Sequence, residues 1–411
     1  MTKKRYFFLV LILGILTALS PFSIDMYLPG FPAIAKSLHT TTERVSLSLS
    51  GFFIGISFGQ LLYGPLLDKF GRKKPLYVGL VLYVLASLCC YFSTSIEMLI
   101  GLRFVQALGS CAATVGSMAM VRDIFPVKDN AKVIALLILV LSVSPMIAPT
   151  VGGAITAYYG WQPIFLILAV IAALMLIMVI FFLPESYQPD PAYSLKPKPI
   201  LKSFLAVLKH PQFYTYSICG AIGFSGLFTY LSASPFVFME VFGVSSKVYG
   251  WIFALLSIGF IGSNQVNSLL VRKYRSEQIV NVAIPAMVIV GLVFLTGSYF
   301  NCFGLYGTFL MIFAFLCCVG MTYPNTAALS IAPFTKNAGT AAALLGAFQM
   351  AAGTLVSVLV SLFKSRSAIP MAVLMTIAAI TAFIILVIGR RTIPKNADNQ
   401  EAAERGEILV H

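Results

Sequence analysis

The sequence predicts an all-α integral membrane protein of twelve transmembrane helices in two six-helix halves, and three observations carry that prediction. The 411-residue chain is 59% hydrophobic and 10% charged, far from the roughly 45–50% apolar and about 25% charged of a soluble domain. Its apolar residues fall into twelve runs, each near the roughly 20 residues that a helix needs to cross the hydrocarbon core. Its longest polar connection falls near the chain midpoint, between the sixth run and the seventh.

The first run, 6–35, follows the basic head MTKKR. It is longer than the roughly 7–15 residues of a signal-peptide core and ends in no small-x-small cleavage site, so it is expected to be an uncleaved first span. Spans 2 to 6 are expected at 45–66, 76–93, 97–121, 132–157 and 162–183. After the Pro- and Lys-rich connection PESYQPDPAYSLKPKPILKSFLAVLKH, spans 7 to 12 are expected at 212–238, 248–271, 279–299, 303–330, 338–363 and 368–389. Each must close its own backbone hydrogen bonds in lipid, so each is a helix. The organisation is then a first half over 1–183, a linker over 184–211, a second half over 212–389 and a tail over 390–411.

The formal charge is +14. A nucleic-acid partner would need a basic face on a folded domain, whereas these lysines and arginines sit between apolar runs. With the N-terminus inside, Lys36, Arg44, Lys247, Lys364 and Arg366 face outward and Arg103 falls within a span. The rest face the cytoplasm, so the positive-inside rule puts both termini there. The loop after span 2, LLDKFGRK, and the loop after span 8, LLVRKYRS, occupy corresponding places in the two halves, as a duplication predicts. The seven cysteines lie in or beside apolar runs without metal-ligand spacing, so no metal site is expected. His39, His210 and His411 all fall outside the spans and no P-loop is present, which argues against an enzyme or an ATP-driven pump.

Sorting the acids by this topology leaves Asp25 as the sole carboxylate within a span and Arg103 as the sole base. A charge at such depth faces a cavity, finds a partner or is neutralised. Thr17, Ala18, Pro21, Asp25, Pro29 and Pro32 share a stripe of span 1, and Arg103, Gln106, Ser110, Ala113 and Ser117 share a stripe of span 4. The expectation is two facing walls of a central cavity with the two charges opposed. The plainer alternatives are a solvated or paired Asp25 near the outer mouth and an Arg103 that braces packing. In span 8, SNQVNSLL carries three amides, of which Asn267 is expected on the cavity, helix-to-helix hydrogen bonding being the alternative; Asn325 and Gln349 share that ambiguity. Tyr27 is one of several aromatics suited to a flat, amphipathic ligand.

Two further stretches have mechanical content. In GPLLDKFGRKK, Gly64 and Gly71 permit a tight turn, Asp68 is placed to meet the N-terminus of a helix of the other half, with span 11 the expected one, and Arg72 is placed to reach Asp123. In span 5, Pro145 and Pro149 bend the helix while Ser144, Ala148 and Gly152, with Gly153 beside them, permit close approach of a neighbour.

Together these motifs resemble the Bcr/CflA-type (bicyclomycin-resistance-like) drug:proton antiporters of the major facilitator superfamily. DMYLPGFP is similar to that family's DMYLP-x-x-P, GPLLDKFGRKKPL to the superfamily loop, RFVQALGS to R-x-x-Q-[AG]-x-G, and APTVGGA to the antiporter motif; SASPFVFMEVFGVS and AGTAAALLGAFQ match further segments. The resemblance implies the major facilitator fold, alternating access, a monomer in the bacterial inner membrane, and efflux of small amphipathic drugs, bicyclomycin- and chloramphenicol-like ones among them, against protons with no cofactor. It implies proton coupling at Asp25 and Arg103, and with the stripes it places substrate contacts at Asp25, Tyr27, Arg103, Gln106 and Asn267. The gate loop is then Gly64, Asp68, Gly71 and Arg72 with Asp123, and the antiporter bend Pro145, Pro149, Gly152 and Gly153. Some relatives hold a second acid two turns before the aspartate; Thr17 stands there, which argues against a two-proton cycle. Export of an endogenous metabolite such as an amino acid is the alternative.

Overall fold

In the computed structural model, residues 3–189, 197–334, 338–363 and 367–393 are described. The tail beyond Ile393, residues 190–196 of the linker, and the outward basics Lys364 and Arg366 lie outside them. Among the described residues twelve helices are long and apolar enough to cross a membrane. The spans depart from the sequence expectation mainly by running a few residues further at their ends.

The first span is two helices. α1 (Lys3–Asp25) stops at the carboxylate, a 3₁₀ turn (Leu28–Gly30) follows, and α2 (Phe31–Ser37) completes the crossing. Pro29 and Pro32 lie in the first turns of the two pieces after the break, where a missing N–H costs nothing while the ring prevents the preceding helix from running on. The sequence therefore ends α1 at Asp25. The seventh span breaks at the matching place: α9 (Pro211–Pro235) passes into a π-helical turn, Phe236–Val241.

The other first-half spans are α3 (Thr42–Phe70), α4 (Lys73–Tyr91), α5 (Ile96–Ile124), α6 (Val127–Tyr159) and α7 (Gln162–Phe182). After α9 the second half continues with α10 (Ser246–Leu270), α11 (Ser276–Tyr299), α12 (Leu305–Ile331), α13 (Ala338–Leu362) and α14 (Ile369–Arg390). Thr41, Ser95 and Ser245 cap α3, α5 and α10 by accepting a backbone N–H of the first turn.

Within the first half α5 packs on α3 and α4, and α1 on α6; within the second, α9 packs on α14 and α12, and α10 on α12. The halves meet chiefly along two seams, α3 with α13 and α6 with α10. Exchanging the halves carries one seam into the other, as a duplicated six-helix unit requires.

The linker differs from the plain connection expected of it. It contains α8 (Pro197–Leu208), whose Phe204, Val207 and Leu208 pack with Phe213, Ala341 and Leu344 of the second half. The 3–4 spacing of these apolar residues in ILKSFLAVL, a helical period, is the signal that reveals it.

Candidate functional site

The two seams are closed at one end of the bundle and splayed at the other. At the closed end, α6 meets the break in the first span and the start of α10 backbone to backbone. A side chain at Gly152 would strike the Met26 carbonyl, and one at Gly153 would stand 2.5 Å from the Ser246 carbonyl, so only glycine allows the approach. Thr150 Oγ1 donates to the Gly250 carbonyl at 3.4 Å, and Ser257 Oγ to that of Pro145 at 3.4 Å. On the other seam Ser357 Oγ donates to the Ser46 carbonyl at 3.2 Å, and Thr42 Oγ1 hydrogen-bonds Glu240. The span-5 residues expected to bend the helix thus lie on an inter-half seam, with Pro145 and Pro149 inside α6.

At the other end a cavity of about 780 Å³ opens between α3, α5, α8, α12 and α13, within the range of drug-sized pockets. Gly64 and Gly339 have open space where a side chain would be. Asp68 and the first turn of α13 both line the cavity, and no hydrogen bond joins them among the described residues, so the expected contact of that carboxylate with the α13 N-terminus is not made in this conformation. Asp68 Oδ1 instead accepts from Arg72 Nη1 at 2.9 Å, while Arg72 Nε donates to Asp123 Oδ2 at 2.7 Å. Burial opposes the charge on Arg72, but hydrogen bonds and attraction from Asp123 and Asp68 outweigh it and hold the guanidinium above its ordinary pKa range.

The sequence did not flag the remainder of this cluster. Glu185, just after α7, accepts from the backbone N–H of Arg72 at 2.8 Å and of Lys73 at 3.1 Å, capping α4, and the Tyr187 ring lies 4.2 Å from the Arg72 guanidinium. Gly71, with φ of +83°, ends α3 against the Glu185 carboxylate. The available signal was the start of α4 at RKKP, which brings no acceptor of its own and therefore needs a foreign one.

Asp25 and Arg103 do not face each other. Arg103 is fully enclosed in the first half: Nη2 donates to the Ser23 carbonyl at 2.9 Å, Nη1 to Gln106 Oε1 at 2.6 Å, and the guanidinium lies over the rings of Phe52 at 4.2 Å and Tyr27 at 4.8 Å. Asp25 is 5% exposed and has no hydrogen bond or ion pair among the described residues. It lies within electrostatic reach of Tyr230 on α9 and Tyr249 on α10, across the inter-half boundary. The expected opposed pair is corrected: α1 turns Asp25 toward the second half, while Arg103 is held by α1 backbone two residues earlier.

The other expected substrate contacts are also off the cavity wall. Tyr27 is buried with its hydroxyl on Ser48 at 2.8 Å, and Gln106 donates to Ser87 on α4 at 2.7 Å. Asn267 Oδ1 accepts from Asn325 on α12 at 2.6 Å, the helix-to-helix alternative. Of the flagged amides, Gln349 lines the cavity, together with Gln60 and Tyr323.

A twelve-helix bundle of two related halves, sealed at one end and open through a central cavity at the other, defines a membrane transporter of the major facilitator class. Residues 13–357 match the model of the Major Facilitator Superfamily, and the chain belongs to that superfamily. Its relatives place it on the Bcr/CflA-like branch. The Uncharacterized MFS-type transporter YdgK of Bacillus subtilis is 32% identical over 92% of this chain and 94% of its own. The Bicyclomycin resistance protein homolog of Haemophilus influenzae is 30% identical over 93% of this chain and 96% of its own. In fold the chain is similar to the xylose transporter XylE from E. coli, with a TM-score of 0.74 at 14% identity, over 95% of this chain and 98% of that one.

Proposed function

We propose that the protein is a proton-driven exporter of small amphipathic antibiotics, working as a monomer by alternating access in the inner membrane with both termini in the cytoplasm. The observation that carries it is Asp25: among the described residues it is the one carboxylate away from the ends of the spans, it is buried, and it has neither cation nor hydrogen-bond donor to hold its charge. A carboxyl so placed is suited to carry a proton, because its charge has no compensation while the site is closed. Its position at the break of the first span, near tyrosines of the other half, lets its protonation state bias how the halves pack.

On this account the open cavity faces the cytoplasm, since the basic loops lie at that end. Drug enters there as the proton leaves. The halves then rock, the seams at the closed end part, and Asp68 docks on the α13 N-terminus to seal the inner side. Facing the periplasm, drug departs and Asp25 takes a proton. A membrane potential of roughly 150–180 mV supplies about 4 kcal/mol per proton at about 2.3 kcal/mol per 100 mV, enough for about a thousandfold drug gradient. Antibiotics are favoured as cargo by the name of the Haemophilus relative and by the motif resemblance.

The test is a drug-susceptibility panel in an efflux-deficient host. Wild type is expected to confer resistance to compounds such as chloramphenicol or bicyclomycin, and Asp25→Asn, present in the membrane at equal level, is expected to confer none. Full resistance from the variant removes Asp25 from the mechanism.

A further inference from the structure

The cavity wall changes character with depth. α3 and α5 start at the sealed end and run toward the opening, and α13 runs the other way. On α3, α5, α12 and α13 the lining residue furthest from the mouth is in each case uncharged and hydrogen-bonding: Gln60, Thr114, Tyr323 and Gln349. The charged lining residues, Asp68, Arg72, Arg122 and Asp123, all lie at the mouth, about 12 Å away along α3 at about 1.5 Å per residue. Asp25 is not on this wall.

Tyr323 Oη donates to Gln349 Oε1 at 3.1 Å, so the tyrosine and the amide oxygen are engaged while the Gln349 amide nitrogen has no protein acceptor among the described residues. Gln60 Oε1 is enclosed and has no donor, while the Gln60 amide nitrogen, on the cavity wall, has no protein acceptor among the described residues. Gln60 lies against Gly346 of α13, one turn from Gln349, so the two amides line the same end of the cavity from opposite halves. Phe224 backs Tyr323 with ring centroids 4.6 Å apart. A lining amide nitrogen without a protein acceptor is a donor left for a ligand, and covering it with a group that cannot accept is costly. Side-chain amides offering both donor and acceptor, beside aromatic rings and with no carboxylate at that depth, match an uncharged molecule that itself carries both.

We propose that Gln60, Gln349, Tyr323 and Thr114 form the substrate-recognition subsite, and that it takes uncharged, ring-bearing compounds with amide or hydroxyl groups in preference to cations. The proposal rests on the transport function above and assigns its recognition step to side chains other than Asp25. The carboxylate is then left to the proton. Because the two amides belong to opposite halves, a bound substrate bridges the parts that must move.

Purified full-length protein is titrated with chloramphenicol, an uncharged aryl amide, and with tetraphenylphosphonium, a permanent cation. Wild type is expected to bind chloramphenicol more tightly than the cation, and Gln60→Leu and Gln349→Leu each to weaken chloramphenicol binding about tenfold. Gln60→Glu, which places a charge at the apex, is expected to gain affinity for tetraphenylphosphonium, a change that misfolding does not produce. Unchanged chloramphenicol affinity in both Leu variants, a wild type that prefers the cation, or one that binds neither probe overturns the subsite. In vesicles, chloramphenicol efflux indifferent to the proton gradient refutes the proton-driven reading alone. Gradient-driven efflux with normal binding by both Leu variants refutes the subsite alone.

Discussion

Asp25 and Arg103 are both buried charges of the first half, yet their surroundings are opposite. The arginine has two hydrogen-bond acceptors and two aromatic faces close to its guanidinium. The aspartate has no such partner among the described residues. A buried charge held by two acceptors and by aromatic faces is committed to one geometry, even with Arg103 Nε left without an acceptor, whereas one with no such partner is free to change its protonation or its neighbours. Arg103 is therefore a brace that holds the Ser23 carbonyl and with it the end of α1. Asp25, two residues further along, is the group that the brace positions.

Exchanging the roles experimentally gives the largest effects. Arg103→Met strands Gln106 and the Ser23 carbonyl and is expected to lose about 3 kcal/mol of stability, read as a marked drop in thermal midpoint. Asp25→Asn, which breaks no hydrogen bond or ion pair among the described residues, is expected to shift stability by less than about 1 kcal/mol while efflux is lost. Equal thermal losses in the two variants would erase the distinction between brace and carrier.

The sealed and open ends of the seams give a second contrast. Gly153→Val drives a side chain into the Ser246 carbonyl and is expected to hold the closed end apart. Transport should fall more than about tenfold, and a cysteine placed on that seam should become reactive to an impermeant reagent from outside; unaltered reactivity would show that the seam is not the seal. The smallest effect is expected at the open end. Glu185→Gln removes the charged cap of α4 and should cost about 1 kcal/mol, with transport reduced by no more than a few-fold.

The spans were legible because lipid makes each apolar run satisfy its own backbone, whereas the breaks in the first and seventh spans were not expected, although Pro29, Pro32 and Pro235 mark them. Asp25 was legible as a lone acid in such a run. Which wall it faces was not. Helical spacing puts Arg103, Gln106 and Ser110 on one stripe, but says nothing about which neighbour that stripe meets, and here it meets Ser23, Ser87 and Ser20 inside the first half. Glu185 and Gln60 escaped notice for the same reason: their partners, the start of α4 and Gly346, are distant in sequence and are brought to them only by packing.

The role of Asp25 is tested most directly in proteoliposomes carrying a pH-sensitive dye and an imposed proton gradient, with chloramphenicol added on the side to which the cavity opens. Wild type is expected to move protons in response to the drug, and to do so faster when an added voltage favours the inward proton, because exchange of one proton for a neutral molecule carries charge. Asp25→Asn, equally incorporated, is expected to move none. Drug-evoked proton movement by the variant at the wild-type rate would contradict the assignment of the proton to Asp25.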